Sequence, residues 1–338
     1  MRTIEPRLGI VYEHPEWFAP LFAELEWREI PYDRINVGAH TFDPAAAEVP
    51  WTIVLNRMSP SAYLRGHGSA INYTKELLRY VETLGLDVVN GSAAFALETS
   101  KVSQYTLLRR LGLPVPRARV INHPSQAPAA AEGFTTPVIV KPNIGGSGAG
   151  IQRFDPPEAL QEAAAAGAID VGIDGTALVQ EFLPARDGHI VRVEVLDGRF
   201  LYAIKVYPNF NAGFNLCPAD ICQPDGVVQT ATEEQGSAFS ADLCPVDLPK
   251  VALRVEGYKP PRSVIEDVLT IARAAGFDLG GVEYLVNDRD GRVYFYDINA
   301  LSNFVTDAVR VVGFDPYVVL VDYLVARGRL RAPVRARR

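Results

Sequence analysis

Apolar and polar residues follow two rhythms along this chain, and the switch from one to the other marks its elements. The brief apolar runs Leu8 to Tyr12 and Trp51 to Leu55 read as buried strands. Between them, Pro15 to Trp27 carries apolar residues at helical spacing, with Pro15 suited to an early helical position. Ile71 to Leu84 repeats that spacing and ends at Gly85, and Leu86 to Val89 predicts another strand. Alternating strands and helices predict an α/β layer over roughly the first ninety residues.

The pattern then changes. Ser100 to Leu111 reads as a helix stopped by Gly112 and by Pro114 and Pro116. Thr136 to Lys141 and Ile151 to Phe154 predict strands around a glycine-rich loop, followed by an alanine-rich helix over Pro156 to Ala166. The strand Ala177 to Phe182 leads through a connector, Leu183 to Gly188, into Ile190 to Leu196 and Phe200 to Tyr207. Asp197-Gly198 joins the last two as a hairpin. Asn209 to Val251 is irregular; a stretch of that kind is a functional lid, a surface insertion or a disordered segment. The helix Arg262 to Ala275, the strands Val282 to Val286 and Val293 to Ile298, and the helix Pro316 to Ala326 complete the chain.

Of the 338 residues, 48% are apolar and 22% charged, which excludes disordered, collagen-like and coiled-coil classes and leaves a globular protein. There is no run of apolar residues long enough to span a membrane. The first residues lack a signal-peptide core, and three cysteines, an odd number, argue against a disulfide framework; both point to the cytoplasm. The net charge is −7, although Ala326 to Arg338 holds arginines and no acid. The body is therefore acidic, which argues against a nucleic-acid partner. The tail reads as a solvated terminus or as a contact for an acidic partner.

Gly145-Gly146-Ser147-Gly148-Ala149-Gly150 follows the strand that ends in Lys141. Glycines let backbone N–H groups close on phosphate oxygens, and a neighbouring lysine adds charge. No Lys-Ser/Thr pair follows, so this is not a Walker loop, and a plain glycine-rich hairpin would read the same way. Gln180-Glu181-Phe182-Leu183, where a strand enters a connector, could offer a purine ring an apolar slot and backbone partners, or simply be a half-buried strand end. Asp297 and Asn299 lie two apart on one strand and so share a face, with Glu283 on the preceding strand. Two carboxylates and an amide oxygen suit magnesium; the polar face of a two-stranded ribbon is the alternative. Arg192 and Lys205 alternate with apolar residues on the hairpin and are read as inward-facing cations for a phosphoryl group, or as exposed strand charges.

In their order, these pieces resemble the ATP-grasp superfamily over about residues 85 to 325, and most of all the RimK-type amino-acid ligases. Lys101 in Thr99-Ser100-Lys101 is similar to the family's first ATP lysine, Leu111 to Pro116 to the turn after it, and Arg57 stands where that family has an arginine. The resemblance implies an α+β ATP-grasp fold in which a Rossmann-like N-terminal layer (1–92) precedes two subdomains (93–183 and 184–328) that sandwich ATP, with a tail at 329–338. It implies that Lys101 and Lys141 bind phosphates, that Gly145, Gly146, Ser147 and Gly148 cover them, and that Gln180, Glu181, Phe182 and Leu183 meet adenine, with Asp187 at the ribose. Arg192, with Lys205, would steady the transferred phosphoryl group. Glu283, Asp297 and Asn299 would hold magnesium, two ions being expected and manganese a substitute. Arg57, Asn215, Ser302 and Asn303 are the implied substrate-side residues.

Three departures stand out. Asp297 stands where the family usually has glutamate, which keeps the charge for magnesium on a shorter arm; Ala300-Leu301-Ser302-Asn303-Phe304 replaces its small-Pro-Gly turn near the implied acceptor; and the segment after Leu216 is longer than usual, so that the substrate and not the ATP chemistry is left open. The implied activity is an ATP-dependent carboxylate–amine ligase working through an acyl phosphate. The alternatives are a small-molecule kinase on the same fold and a non-catalytic nucleotide-binding module. The implied partners are a small carboxylate and an amine, with no nucleic acid and no membrane, and a homo-oligomer is left open. The segment 209–251 is expected to close over the site with Asn215 facing substrate. Its cysteines, Cys217, Cys222 and Cys244, lack a fourth ligand and argue against zinc.

Overall fold

The computed structural model describes residues 7–146, 148–208, 214, 216 and 253–329. The first layer runs β1 (Leu8–Tyr12), α1 (Ala19–Trp27), β2 (Tyr32–Asn36), β3 (Ile53–Asn56), α2 (Gly68–Thr83) and β4 (Asp87–Val89). Its sheet is parallel, in the order β2-β1-β3-β4. Leu8, Ile10 and Tyr12 face α1, and Val11 and Val54 face α2, so both faces are covered, as a parallel sheet requires. The expected helix from Pro15 begins as a 3₁₀ turn, Pro15–Phe18, before α1.

The second region holds α3 (Ser92–Glu98), α4 (Lys101–Arg110), β5 (Ala118–Ile121), α5 (Ala127–Ala130), β6 (Val138–Pro142), β7 (Gln152–Phe154), α6 (Pro157–Ala165) and β8 (Ala177–Glu181). Its antiparallel sheet has the order β5-β8-β6-β7. Val138, Val140, Ala177 and Val179 pack under α5 and α6. By alternation, Ile139, Lys141, Leu178 and Gln180 lie on the other face.

The third region holds β9 (Ile190–Leu196), β10 (Arg199–Tyr207), β11 (Arg254–Tyr258), α7 (Arg262–Ala275), β12 (Leu279–Val286), β13 (Val293–Asn299), α8 (Ala308–Val312) and α9 (Pro316–Gly328). Its antiparallel sheet has the order β11-β10-β9-β12-β13. Val191, Val193, Val195, Ala203 and Val282 pack with Val264, Val268 and Ile271 of α7. Ile190, Ile204, Leu279 and Leu285 on the opposite face join the core of the first layer, into which Leu320, Val321 and Leu324 of α9 also pack.

β2, β5 and β11 were not expected from the pattern. Each is the edge strand of its sheet and is only partly buried, so its side chains carry little alternation. The expected lid over 209–251, with Asn215 and the three cysteines, lies outside the described residues apart from Phe214 and Leu216; Ser147 and most of the tail do too.

Candidate functional site

The cavity-facing side of the third sheet carries the central row. Register pairs Glu283 of β12 with Arg192 of β9 on one side and with Asp297 of β13 on the other, so all three side chains share one face. One step along, Gly281 lies between Glu194 and Asn299. Arg192 donates from Nε to Glu194 at 2.6 Å, from Nη1 to Glu283 at 3.3 Å and from Nη2 to the Ser302 hydroxyl at 2.9 Å. Burial pushes the Glu283 carboxyl up, and the Asp297 charge beside it pushes the same way.

Opposite this row stand two lysines. Ser100 caps α4 by accepting from the Ser103 N–H, and the Asn143 carboxamide oxygen, just past β6, accepts from the Val102 N–H at 2.9 Å. Gln104 bonds both backbone groups of Ile298, at 2.8 and 3.1 Å, which fixes α4 against β13. These contacts bring the Lys101 ammonium onto the Asp297 carboxylate. Burial pulls the Lys101 ammonium down, but Asp297 and Glu98 more than offset it, and the group ends above its ordinary value. Lys141, on the inner face of β6, has among the described residues the Tyr296 carbonyl as its acceptor, at 3.5 Å, and burial lowers its ammonium to about 8.

One cavity joins these groups. It is lined by Lys101, Lys141, Gly145, Gly146, Gly148, Gln180, Glu181, Phe182, Leu183, Arg192, Glu283, Asp297, Asn299 and Asn303. At Gly148, φ is +72° and a Cβ would lie 2.1 Å from the Phe214 carbonyl oxygen, so both the backbone and the close approach of Phe214 require glycine. The Phe182 ring lies edge-on to Phe214 and under the Arg153 guanidinium, at the mouth of the apolar slot. The Glu181 side chain is turned away, accepting from the Thr135 N–H at 2.8 Å and from Arg117 at 3.4 Å.

Four expected site residues are placed otherwise. Lys205 pairs with Val191, not with Arg192, so it projects from the opposite face, 4.9 Å from the centre of the Tyr258 ring. Asp187 is exposed in a left-handed conformation beyond the connector and does not line the cavity. Arg57 and Ser302 are buried behind the lining. Arg57 donates to the Ser302 carbonyl at 2.5 Å and lies 5.0 Å over the Phe18 ring, and burial lowers its guanidinium to about 10. Only Asn303 of that turn, with Leu301, faces the cavity.

Sequence reading missed several lining residues. Trp17, Ser59, Pro60 and Ser61 reach the cavity from the first layer. Glu98 lines it too; burial raises its carboxyl to about 7 although it accepts from the Ala300 N–H. Their placement depends on how the layers meet, which no local pattern signals. Glu194 did have a signal, its position two residues after Arg192 on a strand.

Glu283, Asp297 and Asn299 fit a hard divalent cation: they supply two carboxylates and an amide oxygen on one face, and burial together with the Asp297 charge raises the Glu283 carboxyl, a cost that a bound cation would offset. Among the described residues, no group of three His, Cys, Asp or Glu side chains is gathered for a metal. No described helix is long and apolar enough to cross a membrane.

Residues 98–216 match the RimK-like ATP-grasp domain. A D-alanine–D-alanine ligase of Geobacter sulfurreducens is 29% identical over 151 residues, covering 43% of this chain and 46% of that protein. A probable α-L-glutamate ligase of Teredinibacter turnerae is 31% identical over 137 residues, 39% of this chain and 44% of that protein. The matched stretch thus spans less than half the length of these two curated relatives. Among solved structures, the ATP-grasp ligase PsnB with a minimal precursor superposes with a TM-score of 0.66 at 19% identity, covering 96% of this chain and 99% of that one. The D-cycloserine synthetase DcsG gives 0.62 at 17%, covering 95% and 99%.

Proposed function

We propose, for a chain that carries a RimK-like ATP-grasp domain over residues 98–216 within an ATP-grasp fold, that it is an ATP-dependent carboxylate–amine ligase. The γ-phosphoryl group of ATP passes to an oxygen of a substrate carboxylate, giving an acyl phosphate and ADP. An amine nitrogen then attacks the acyl carbon, the carbon–oxygen bond to phosphate breaks, and loss of the amine proton leaves an amide and free phosphate. One observation carries this reading: a row of Arg192, Glu283 and Asp297 faces Lys101, Lys141 and the glycine loop across a single cavity.

The residues have distinct parts. Lys101 and Lys141 bind the phosphates under Gly145 to Gly148, and the adenine lies in the slot of Gln180, Phe182 and Leu183. Glu283, Asp297 and Asn299 would hold magnesium, which when bound offsets phosphate charge. Arg192 stabilises the phosphoryl group in flight. Nothing in this scheme needs a covalent nucleophile; positioning and charge neutralisation are enough. Substrates enter on the side of Trp17, Ser61 and Asn303, while Arg57 and Ser302 brace that turn from behind. We propose the divisions 1–92, 93–183 and 184–328, with one sheet in each, and the cytoplasm as the compartment of the reaction.

The test is a screen of paired carboxylates and amines for ADP release, with mass detection of products. Amide formation that requires both co-substrates is expected. A phosphorylated hydroxyl product would replace the reading with a kinase, and binding of ATP without any ADP formation would replace it with a binding module.

A further inference from the structure

We infer that Glu194 is a positioning residue that sets the aim of Arg192 for phosphoryl transfer, an inference that rests on the ligase reading above. Glu194 is 1% exposed, on the same face of β9 as Arg192 and two residues beyond it. Its Oε1 accepts from Arg192 Nε at 2.6 Å. Nε is the inner edge of a guanidinium, so a carboxylate there fixes rotation of the planar group and leaves Nη1 and Nη2 directed outward. Those two nitrogens reach Glu283 and Ser302. Because Glu283 is assigned to magnesium, Nη1 is the donor that becomes available to phosphate oxygens, and Glu194 holds it in place meanwhile.

Two further observations support a built arrangement. Glu194 Oε2 is buried and has no hydrogen-bond partner among the described residues. A carboxylate held in a core with an unsatisfied oxygen is costly, and an apolar side chain would fill the space at lower cost unless the charge has a task. Directly across on β12 stands Gly281, where a Cβ would lie 2.8 Å from Glu194 Oε1 and 2.9 Å from Arg192 Nε. The strand thus leaves room at the one point where this ion pair crosses it.

The test compares ground-state and transition-state mimics by calorimetry, which needs no knowledge of the acid or the amine. Glu194→Gln keeps the size and removes the charge. Its affinity for AMPPNP with magnesium is expected to stay within about twofold of the wild type. Its affinity for ADP with magnesium and aluminium fluoride, a mimic of the phosphoryl group in flight, is expected to fall at least about tenfold. Glu194→Asp should recover part of that loss. Gly281→Ala displaces the pair from the other side and should show the same split, so it keeps the test open if Glu194→Gln does not fold. Equal weakening of both probes would reduce Glu194 to a structural residue, and no weakening of either would remove it from the site. Wild-type protein that gains no affinity from aluminium fluoride would overturn the phosphoryl-transfer reading itself.

Discussion

Lys141→Met should make the protein more stable and less able to bind ATP. Lys141 lies on the cavity face of β6, 7% exposed, with a single weak acceptor among the described residues, the Tyr296 carbonyl. Burial brings its ammonium from 10.5 to about 8, even though Asp297 and Glu283 pull the other way. A base whose folded value is depressed disfavours the folded state while it is charged. The shift corresponds to about 3 kcal/mol at pH 7, where the lysine is protonated both folded and unfolded. The cost fades as pH climbs from about 8 toward 10.5, and at pH 9.5 roughly 1 kcal/mol remains. Methionine fills the same volume without charge, so urea denaturation should show the variant ahead of the wild type by about 1–3 kcal/mol at pH 7, with a smaller lead at pH 9.5. Calorimetry should show ATP affinity reduced by about tenfold or more, since a charge-assisted phosphate contact is gone. A variant less stable than the wild type at pH 7, or a lead that does not shrink with pH, would refute the reasoning.

The remaining expectations concern Asp297 and Glu98 of the site, and Lys205 outside it. Asp297→Asn should abolish ADP release with the fold intact by circular dichroism; release near the wild-type rate would remove the metal assignment. Glu98, raised from 4.5 to about 7 by burial, favours the folded state only while protonated, so its contribution of about 3 kcal/mol should be lost as pH rises across that window. Glu98→Gln should flatten that part of the stability–pH curve, and an unchanged slope would contradict the assigned cause. Lys205→Met should leave ADP release within about twofold, because its side chain lies on the face away from Arg192; a loss of more than about tenfold would place it in the site after all.

How much was legible follows from where the signal arises. Two-residue spacing put Asp297 and Asn299 on one face, and the glycine run after Lys141 marked the loop, because both are local properties of a strand and a turn. Buried strands announced themselves through apolar runs, whereas β2, β5 and β11, half-wet at the sheet edges, did not. Lys205 shows a subtler limit. Arg192 and Lys205 both alternate with apolar neighbours, but the face each takes depends on how β10 pairs with β9, and that register shifts between Phe200 and Tyr202. A single-residue shift reverses the face, and nothing within either strand reports it.

The turn after β13 shows how the first layer is tied to the cavity. Asn90 donates to the Ala300 carbonyl at 2.6 Å, and Glu98 accepts from the Ala300 N–H. Arg57 donates to the Ser302 carbonyl at 2.5 Å, and Arg192 of β9 donates to the Ser302 hydroxyl at 2.9 Å. Asn90 and Arg57 follow strands of the parallel sheet and Glu98 closes the helix after it, while Arg192 belongs to the phosphoryl row. A single turn is therefore held by the layer on the substrate side and by the residue assigned to the phosphoryl group. Leu301 and Asn303 face the cavity from between those anchors. Arg57 and Arg192 thus meet at Ser302, so changes at Arg57 should register in the rate of phosphoryl transfer although Arg57 does not line the cavity.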